Sequence, residues 1–301
     1  RRGGRRRHQC ARHRPGRVEQ AHRQRRVQGH RTGDRLSSVT RPVGVFDSGI
    51  GGLSVLQSLR AELPHQPFVY LADSGHAPYG EREPGHVIER SQAIVRHLIE
   101  THDIQALVVA CNTATAAAID LLRVQHPKLP IVGVEPALKP AVQLSQTRRV
   151  GVLATRSTLQ STKFRALRDS LPSQVDFMLQ ACDGLADAIE HQDNARIESL
   201  ARLYTQALGA CGRETGQIDT VVLGCTHYPL VAEKLQSLLG PDVELVASGA
   251  PVARQTRRVL QQVVDTGQPT LHWLTTGPAD QLQIAVQRWL QPQARVETLK
   301  I

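Results

Sequence analysis

Two cysteines stand where a reaction could use them. Cys111 closes the run Ala106-Leu107-Val108-Val109-Ala110 and is followed by Asn112-Thr113; Cys225 closes Thr220-Val221-Val222-Leu223-Gly224 and is followed by Thr226-His227. A thiolate is a base as well as a nucleophile. Placed between a strand end and a helix start, a thiol is expected to fall from a pKa of about 8.5 toward neutrality, because the free N–H groups of the helix favour negative charge. Two thiols on matching elements suit a proton transfer in which one takes and the other gives, from opposite sides of one substrate. The commoner role of cysteine is a small buried hydrophobe. That role is assigned to Cys182 and Cys211, whereas the polar neighbours of Cys111 and Cys225 are not needed by a structural thiol.

His227 lies two residues beyond Cys225, near enough to exchange a proton with it. Asp47 ends an earlier apolar run and opens a glycine-rich turn, so it reads as a helix cap or a catalytic carboxylate. The turn Gly49-Ile50-Gly51-Gly52 matches neither GxGxxG nor GxxxxGK[ST], which leaves a nucleotide cradle weakly supported. Glycines that let the backbone approach a small carboxylate fit it better.

The elements that position these residues follow from alternation. Apolar, β-branched runs at 43–46, 68–72, 107–110 and 131–134 read as buried parallel strands, with helices at about 53–63, 83–102 and 114–123 between them. The pattern then restarts: Val150-Gly151-Val152-Leu153-Ala154-Thr155 echoes Val43-Gly44-Val45-Phe46-Asp47-Ser48. Strands follow at 175–179, 220–223 and 243–246, with helical stretches at 186–190, 199–210, 230–239 and 251–264. This predicts an α/β protein of two similar parallel-sheet domains related by a pseudo-two-fold, with the active site in the cleft between them. The expected division is an extension at 1–41, one domain at 42–139 plus about 247–301 carrying Asp47 and Cys111, and a second at 140–246 carrying Cys225 and His227.

Composition narrows the class. Of 301 residues 40% are hydrophobic and 21% charged, as in globular proteins. No window of about 18 apolar residues could span a bilayer, and no apolar segment of a secretory signal follows the basic start. Five widely spread cysteines, an odd number, point to reduced thiols and a cytoplasmic setting. No CxxC pair suggests structural zinc, and no metal is expected. The net charge of +10 resides in residues 1–41, which hold 14 Arg against Glu19 and Asp34. Poor in large apolar residues, this segment (with Cys10) is expected to be disordered. It reads as a nucleic-acid arm or as an extension from a misplaced start; lacking aromatics for base stacking, the second reading is preferred and no nucleic-acid partner is expected.

Five motifs, in order over about residues 43–264, carry a resemblance. They are Phe46-Asp47-Ser48-Gly49-Ile50-Gly51-Gly52-Leu53-Ser54, Asp73 with Pro78-Tyr79-Gly80, Cys111-Asn112-Thr113-Ala114-Thr115, Gly133-Val134-Glu135-Pro136, and Leu223-Gly224-Cys225-Thr226-His227-Tyr228-Pro229-Leu230. A CNTA-like motif is shared across the aspartate/glutamate racemase superfamily; the set resembles the glutamate racemases within it. The resemblance implies a cofactor-independent isomerase that interconverts L- and D-glutamate by two-base transfer at Cα, supplying D-glutamate for peptidoglycan. Cys111 and Cys225 would be the two bases, Asp47 would assist Cys111 and His227 would assist Cys225. Glu190 would be a further acidic helper, in a looser match where Asp183 replaces the family's usual Pro. Asp47, Ser48, Pro78, Tyr79, Gly80, Asn112, Thr113, Thr155, Thr226 and His227 match substrate-binding positions, and a homodimer is implied. Ala247 departs from the family's usual Asp.

Three other readings compete. An aspartate racemase would share the mechanism. A nucleic-acid-associated protein would depend on the basic segment. A cysteine hydrolase would need one Cys–His pair and an oxyanion hole, which two equivalent cysteines fit poorly. Pyridoxal phosphate requires a Schiff-base lysine, and none of Lys128, Lys139, Lys163, Lys234 and Lys300 sits in a comparable strand-end cluster.

Overall fold

A computed structural model describes residues 41–260, 270–290 and 294–301. The disorder expected of the N-terminal segment, and Cys10, lie outside the described residues. Arg41, expected to belong to that segment, is tied to the folded body instead. Its guanidinium donates to the Asp103 and Ile104 carbonyls and pairs with the Asp103 carboxylate, and its own carbonyl accepts from Gln66 and Gln105.

The first half runs β1 (Val43–Asp47), α1 (Leu53–Glu62), β2 (Phe68–Ala72), α2 (Pro84–His102), β3 (Ala106–Val109), α3 (Asn112–Gln125), β4 (Ile131–Gly133) and α4 (Leu138–Leu144). The second runs β5 (Arg149–Ala154), α5 (Arg156–Gln160), α6 (Thr162–Asp169), β6 (Asp176–Ala181), α7 (Leu185–Glu190), α8 (Asn194–Ala207), β7 (Thr220–Leu223), α9 (Ala232–Leu239) and β8 (Glu244–Ala247). The chain ends with α10 (Gly249–Val259), β9 (Leu271–Thr275), α11 (Ala279–Trp289) and β10 (Val296–Thr298).

All ladders between these strands are parallel, and they form two sheets. The first has the order β10-β9-β2-β1-β3-β4, the second β6-β5-β7-β8. The second sheet thus repeats the β2-β1-β3-β4 order of the first, and β3 and β7, which precede the two cysteines, hold equivalent places. Every residue of β1, β3 and β7 is buried, because helices cover both faces and leave the inner strands no wet side. Separate apolar clusters line the two faces of each sheet, one built on Leu56, Leu59, Tyr70 and Trp273 and another on Phe46, Leu98 and Leu107 in the first. Leu185, Val221 and Leu235 on one face and Val150, Val222 and Phe164 on the other do the same in the second.

Two strands escape the hydrophobic pattern. Leu271-His272-Trp273-Leu274-Thr275 and Val296-Glu297-Thr298 are short and interrupted by polar residues, yet β9 pairs with β2 and β10 with β9. The helix expected to open at residue 230 begins as a 3₁₀ turn over Tyr228–Val231, where Pro229 supplies no N–H, and becomes α-helical only in α9. The helix expected over 251–264 ends at Val259, and residues 261–264 lie outside the described residues.

Candidate active site

In parallel sheets the loops after the carboxyl ends of the strands converge. Asp47 is the last residue of β1, Asp73 and Ser74 follow β2, Cys111 follows β3, Thr155 follows β5, and Cys225 follows β7. Asp47, Ser48, Cys111, Asn112, Thr113, Thr155, Glu190, Cys225, Thr226 and His227 are all buried.

The two cysteines are set up differently. Cys111 is the N-cap of α3: the Ala114 N–H donates to its Sγ at 3.5 Å, and the thiol lies 3.8 Å from Ser48 Oγ. The expected lowering of its pKa is not found. Burial, with the Asp47 charge added, pushes the Cys111 thiol well above the ordinary value and outweighs the Ala114 and Ser48 hydrogen bonds. A helix N-terminus favours a thiolate only when the dielectric penalty of a closed site is smaller than its own contribution. Cys225 has no α-helix directly behind it. Its neighbour is His227, whose Nδ1 lies 3.7 Å from Sγ.

His227 Nε2 meets Glu190 Oε2 at 2.7 Å. Burial works against an imidazolium here, but hydrogen bonds to Cys225 and Glu190 and the charge of Glu190 outweigh it and hold the His227 pKa well above the usual histidine value. The Glu190 carboxylate also accepts from the Ile50 N–H at 2.9 Å and from Ser74 Oγ at 3.0 Å. The glycine-rich turn therefore approaches a carboxylate of the protein itself. A Cβ on Gly49 would collide with Glu190, and one on Gly51 with the His227 ring.

Asp47 Oδ2 accepts from Gly52 N at 2.8 Å and Gly49 N at 3.3 Å, and Thr226 Oγ1 lies 3.4 Å from Oδ1. Burial raises its pKa from 3.8 to about 6, against the pull of the His227 charge and the two N–H groups. Among the described residues it forms no hydrogen bond with Cys111.

The remaining candidates form a rim. Thr113 and Thr155 hydroxyls lie 3.3 Å apart across the cleft. Gly80 fits against Thr155, where a Cβ would stand 2.7 Å from its Cγ2. Tyr79, preceded by Pro78, donates its hydroxyl to Asp73, which is also held by Arg90 at 2.8 and 3.0 Å and by Thr276 at 2.7 Å. Burial opposes ionisation of Asp73, yet these partners hold its pKa below the usual carboxylate range. Among the described residues the buried Asn112 carboxamide oxygen has no hydrogen-bond partner.

Three residues were missed by sequence reasoning. Ser74 reaches Glu190, the Ser157 hydroxyl lies 3.3 Å from Thr155 and donates to the Gly80 carbonyl at 3.0 Å, and Tyr70 braces the glycine turn by donating to the Gly49 carbonyl at 2.7 Å. Serine and a strand tyrosine carry no local signal of such roles; only the place of Ser74 and Ser157 just after strands could have drawn attention to them. Among the described residues no helix is long and apolar enough to cross a membrane.

The fold is two parallel α/β halves with a thiol at the end of an equivalent strand in each. Residues 53–256 match the Asp/Glu/Hydantoin racemase family, and the chain belongs to it. Within that family it groups with the glutamate racemases. The enzyme of that name from Ectopseudomonas mendocina (strain ymp) is 46% identical over 262 residues, 85% of this chain and 97% of the relative. The solved structure of Escherichia coli glutamate racemase, in complex with L-glutamate and the activator UDP-MurNAc-Ala, superposes with a TM-score of 0.74 at 31% identity, covering 87% of this chain and all (100%) of that one. That of the Francisella tularensis subsp. tularensis SCHU S4 enzyme in complex with D-glutamate gives 0.73 at 25% identity, covering 87% and 98%.

Proposed function

We propose that this chain interconverts L- and D-glutamate without a cofactor, by proton transfer between Cα and two thiols. The observation that carries the reading is the pair of buried cysteines at the ends of equivalent strands, Cys225 3.7 Å from the His227 ring and Cys111 within the charge of Asp47. In one direction Cys225, as thiolate, takes the Cα proton into a new S–H bond while the C–H pair stays on carbon; Cys111, held as a thiol by burial, gives its proton to the opposite face. The step leaves Cys225 as thiol and Cys111 as thiolate, and the other direction starts from that state with the roles exchanged. His227 stabilises negative charge on Cys225, Glu190 keeps His227 charged, and Asp47 modulates Cys111. An α-proton beside a carboxylate is very weakly acidic, so donors that do not reorganise are needed where charge develops on the carboxylate. Ser48, Thr113, Thr155 and Thr226, with the loop Pro78-Tyr79-Gly80, are assigned to the two carboxylates, and the unpartnered Asn112 oxygen suits the ammonium. Substrate-bound relatives holding L-glutamate in one case and D-glutamate in another support both ends of the reaction.

The same reading assigns residues 42–139 and about 247–301 to one domain and 140–246 to the other, supported by the pairing of β9 and β10 into the first sheet. It further assigns a cytoplasmic homodimer that supplies D-glutamate for peptidoglycan. The test is loss of circular dichroism from L-glutamate, and separately from L-aspartate, with no cofactor in D₂O. Loss with glutamate alone, with deuterium entering Cα, is expected. Activity on aspartate alone would move the substrate assignment, and silence on both from folded, reduced protein would overturn the reading.

A further inference from the structure

We propose that Ser74 is a positioning residue for the Cys225 arm, acting through the Glu190 carboxylate. Glu190 ends α7 beside the second sheet, but two of its three hydrogen bonds come from loops of the first. Ile50 N–H shares Oε2 with His227, and Ser74 Oγ, half-buried in the loop after β2, takes Oε1 at 3.0 Å. The terminal torsion of a glutamate is broad and weakly restrained by itself. With both oxygens held, Oε2 stays 2.7 Å from Nε2 and in line for a proton. Without the Ser74 hydroxyl, Oε1 loses its donor and the carboxylate is free to turn. Gly49 leaves room for this arrangement, since a Cβ there would collide with the same carboxylate. Because Ser74 and Ile50 belong to the first half and Glu190 and His227 to the second, the arm is set only when the two halves are together.

The groups facing His227 are Cys225 at Nδ1, Glu190 at Nε2 and the nearby charge of Asp47. A carboxylate fixed at Nε2 favours the imidazolium, so a Glu190 side chain that turns away lets His227 lose its proton at lower pH. The inference rests on the reading that His227 serves Cys225.

The test compares Ser74→Ala with Ser74→Thr, which restores a hydroxyl. Ser74→Ala is expected to lower kcat/KM about tenfold, mainly through kcat. The His227 titration, followed by ¹⁵N NMR and identified by its absence in His227→Gln, is expected to move down by about one pH unit. Ser74→Thr is expected to recover most of both, with melting temperatures showing that each variant is folded. A Ser74→Ala enzyme with the parent's titration and kcat/KM would overturn the proposal, as would a Ser74→Thr enzyme as impaired as Ser74→Ala. Glu190→Gln and His227→Gln separate the two levels. If both abolish turnover while Ser74→Ala is silent, the Ser74 proposal alone fails; if both keep the parent's turnover, the reading of the Cys225 arm fails and takes this proposal with it.

Discussion

At the scale of single residues, the two thiols are alike in sequence and unlike in setting. Cys111 is held neutral by burial, and Cys225 is placed against a charged imidazole. Replacing either by Ala is expected to cut racemisation in both directions by at least about 10³-fold, since each direction needs both thiols; a variant that keeps near-parental turnover would end the two-thiol reading. Asp47 gives a pH signature. Its folded pKa is about 6 against 3.8 in the free side chain, so between these values the folded chain binds more protons than the unfolded one. Stability therefore falls as pH rises through this window, by about 3 kcal/mol for this group. Urea unfolding at pH 4 and pH 7 should show that contribution in the parent and not in Asp47→Asn. The types and order of these residues were legible because thiol, carboxylate and imidazole chemistry is carried in local motifs. The direction of the Cys111 shift was not, because desolvation depends on every chain segment that closes over the thiol.

At the scale of elements, the turn between β1 and α1 and the N-terminus of α3 do the positioning. Cys111 caps α3 through Ala114. Cys111→Ser keeps an acceptor there, so it should be as inactive as Cys111→Ala yet more stable by about 1 kcal/mol in denaturant unfolding. The glycine turn works through space rather than backbone freedom. Gly51→Ala would press on the His227 ring, and kcat is expected to fall about tenfold or more while circular dichroism shows the strands and helices retained. Parental kcat would show that the turn yields freely. Strands β1, β2, β3, β5 and β7 could be read because inner parallel strands must be apolar on both faces. Strands β9 and β10 could not: β10 is the sheet edge, β9 lies between it and β2, and His272 and Glu297 interrupt their apolar patterns.

At the scale of the whole molecule, the two sheets repeat one strand order, and the halves meet through a few polar contacts. Ile50 reaches Glu190, Thr226 reaches Asp47, Ser54 donates to the Thr226 carbonyl at 2.9 Å, and Gly184 N–H donates to Glu81 at 2.9 Å. The family match begins at residue 53. A chain starting at Arg41 is expected to keep kcat and KM within about twofold of the full-length protein; a large loss in steady-state assays would give the basic segment a part in catalysis. By itself the sequence determined the α/β class, the repeat and the strand-end residues able to handle protons, because periodicity and side-chain chemistry are local properties. Only the tertiary structure decided that Ser74 holds Glu190, that the glycine turn accommodates His227 and Glu190, and that burial pushes the Cys111 thiol up rather than down. The contacts at Glu190 and His227 join residues more than a hundred positions apart, and the shift at Cys111 depends on how much water the folded halves exclude.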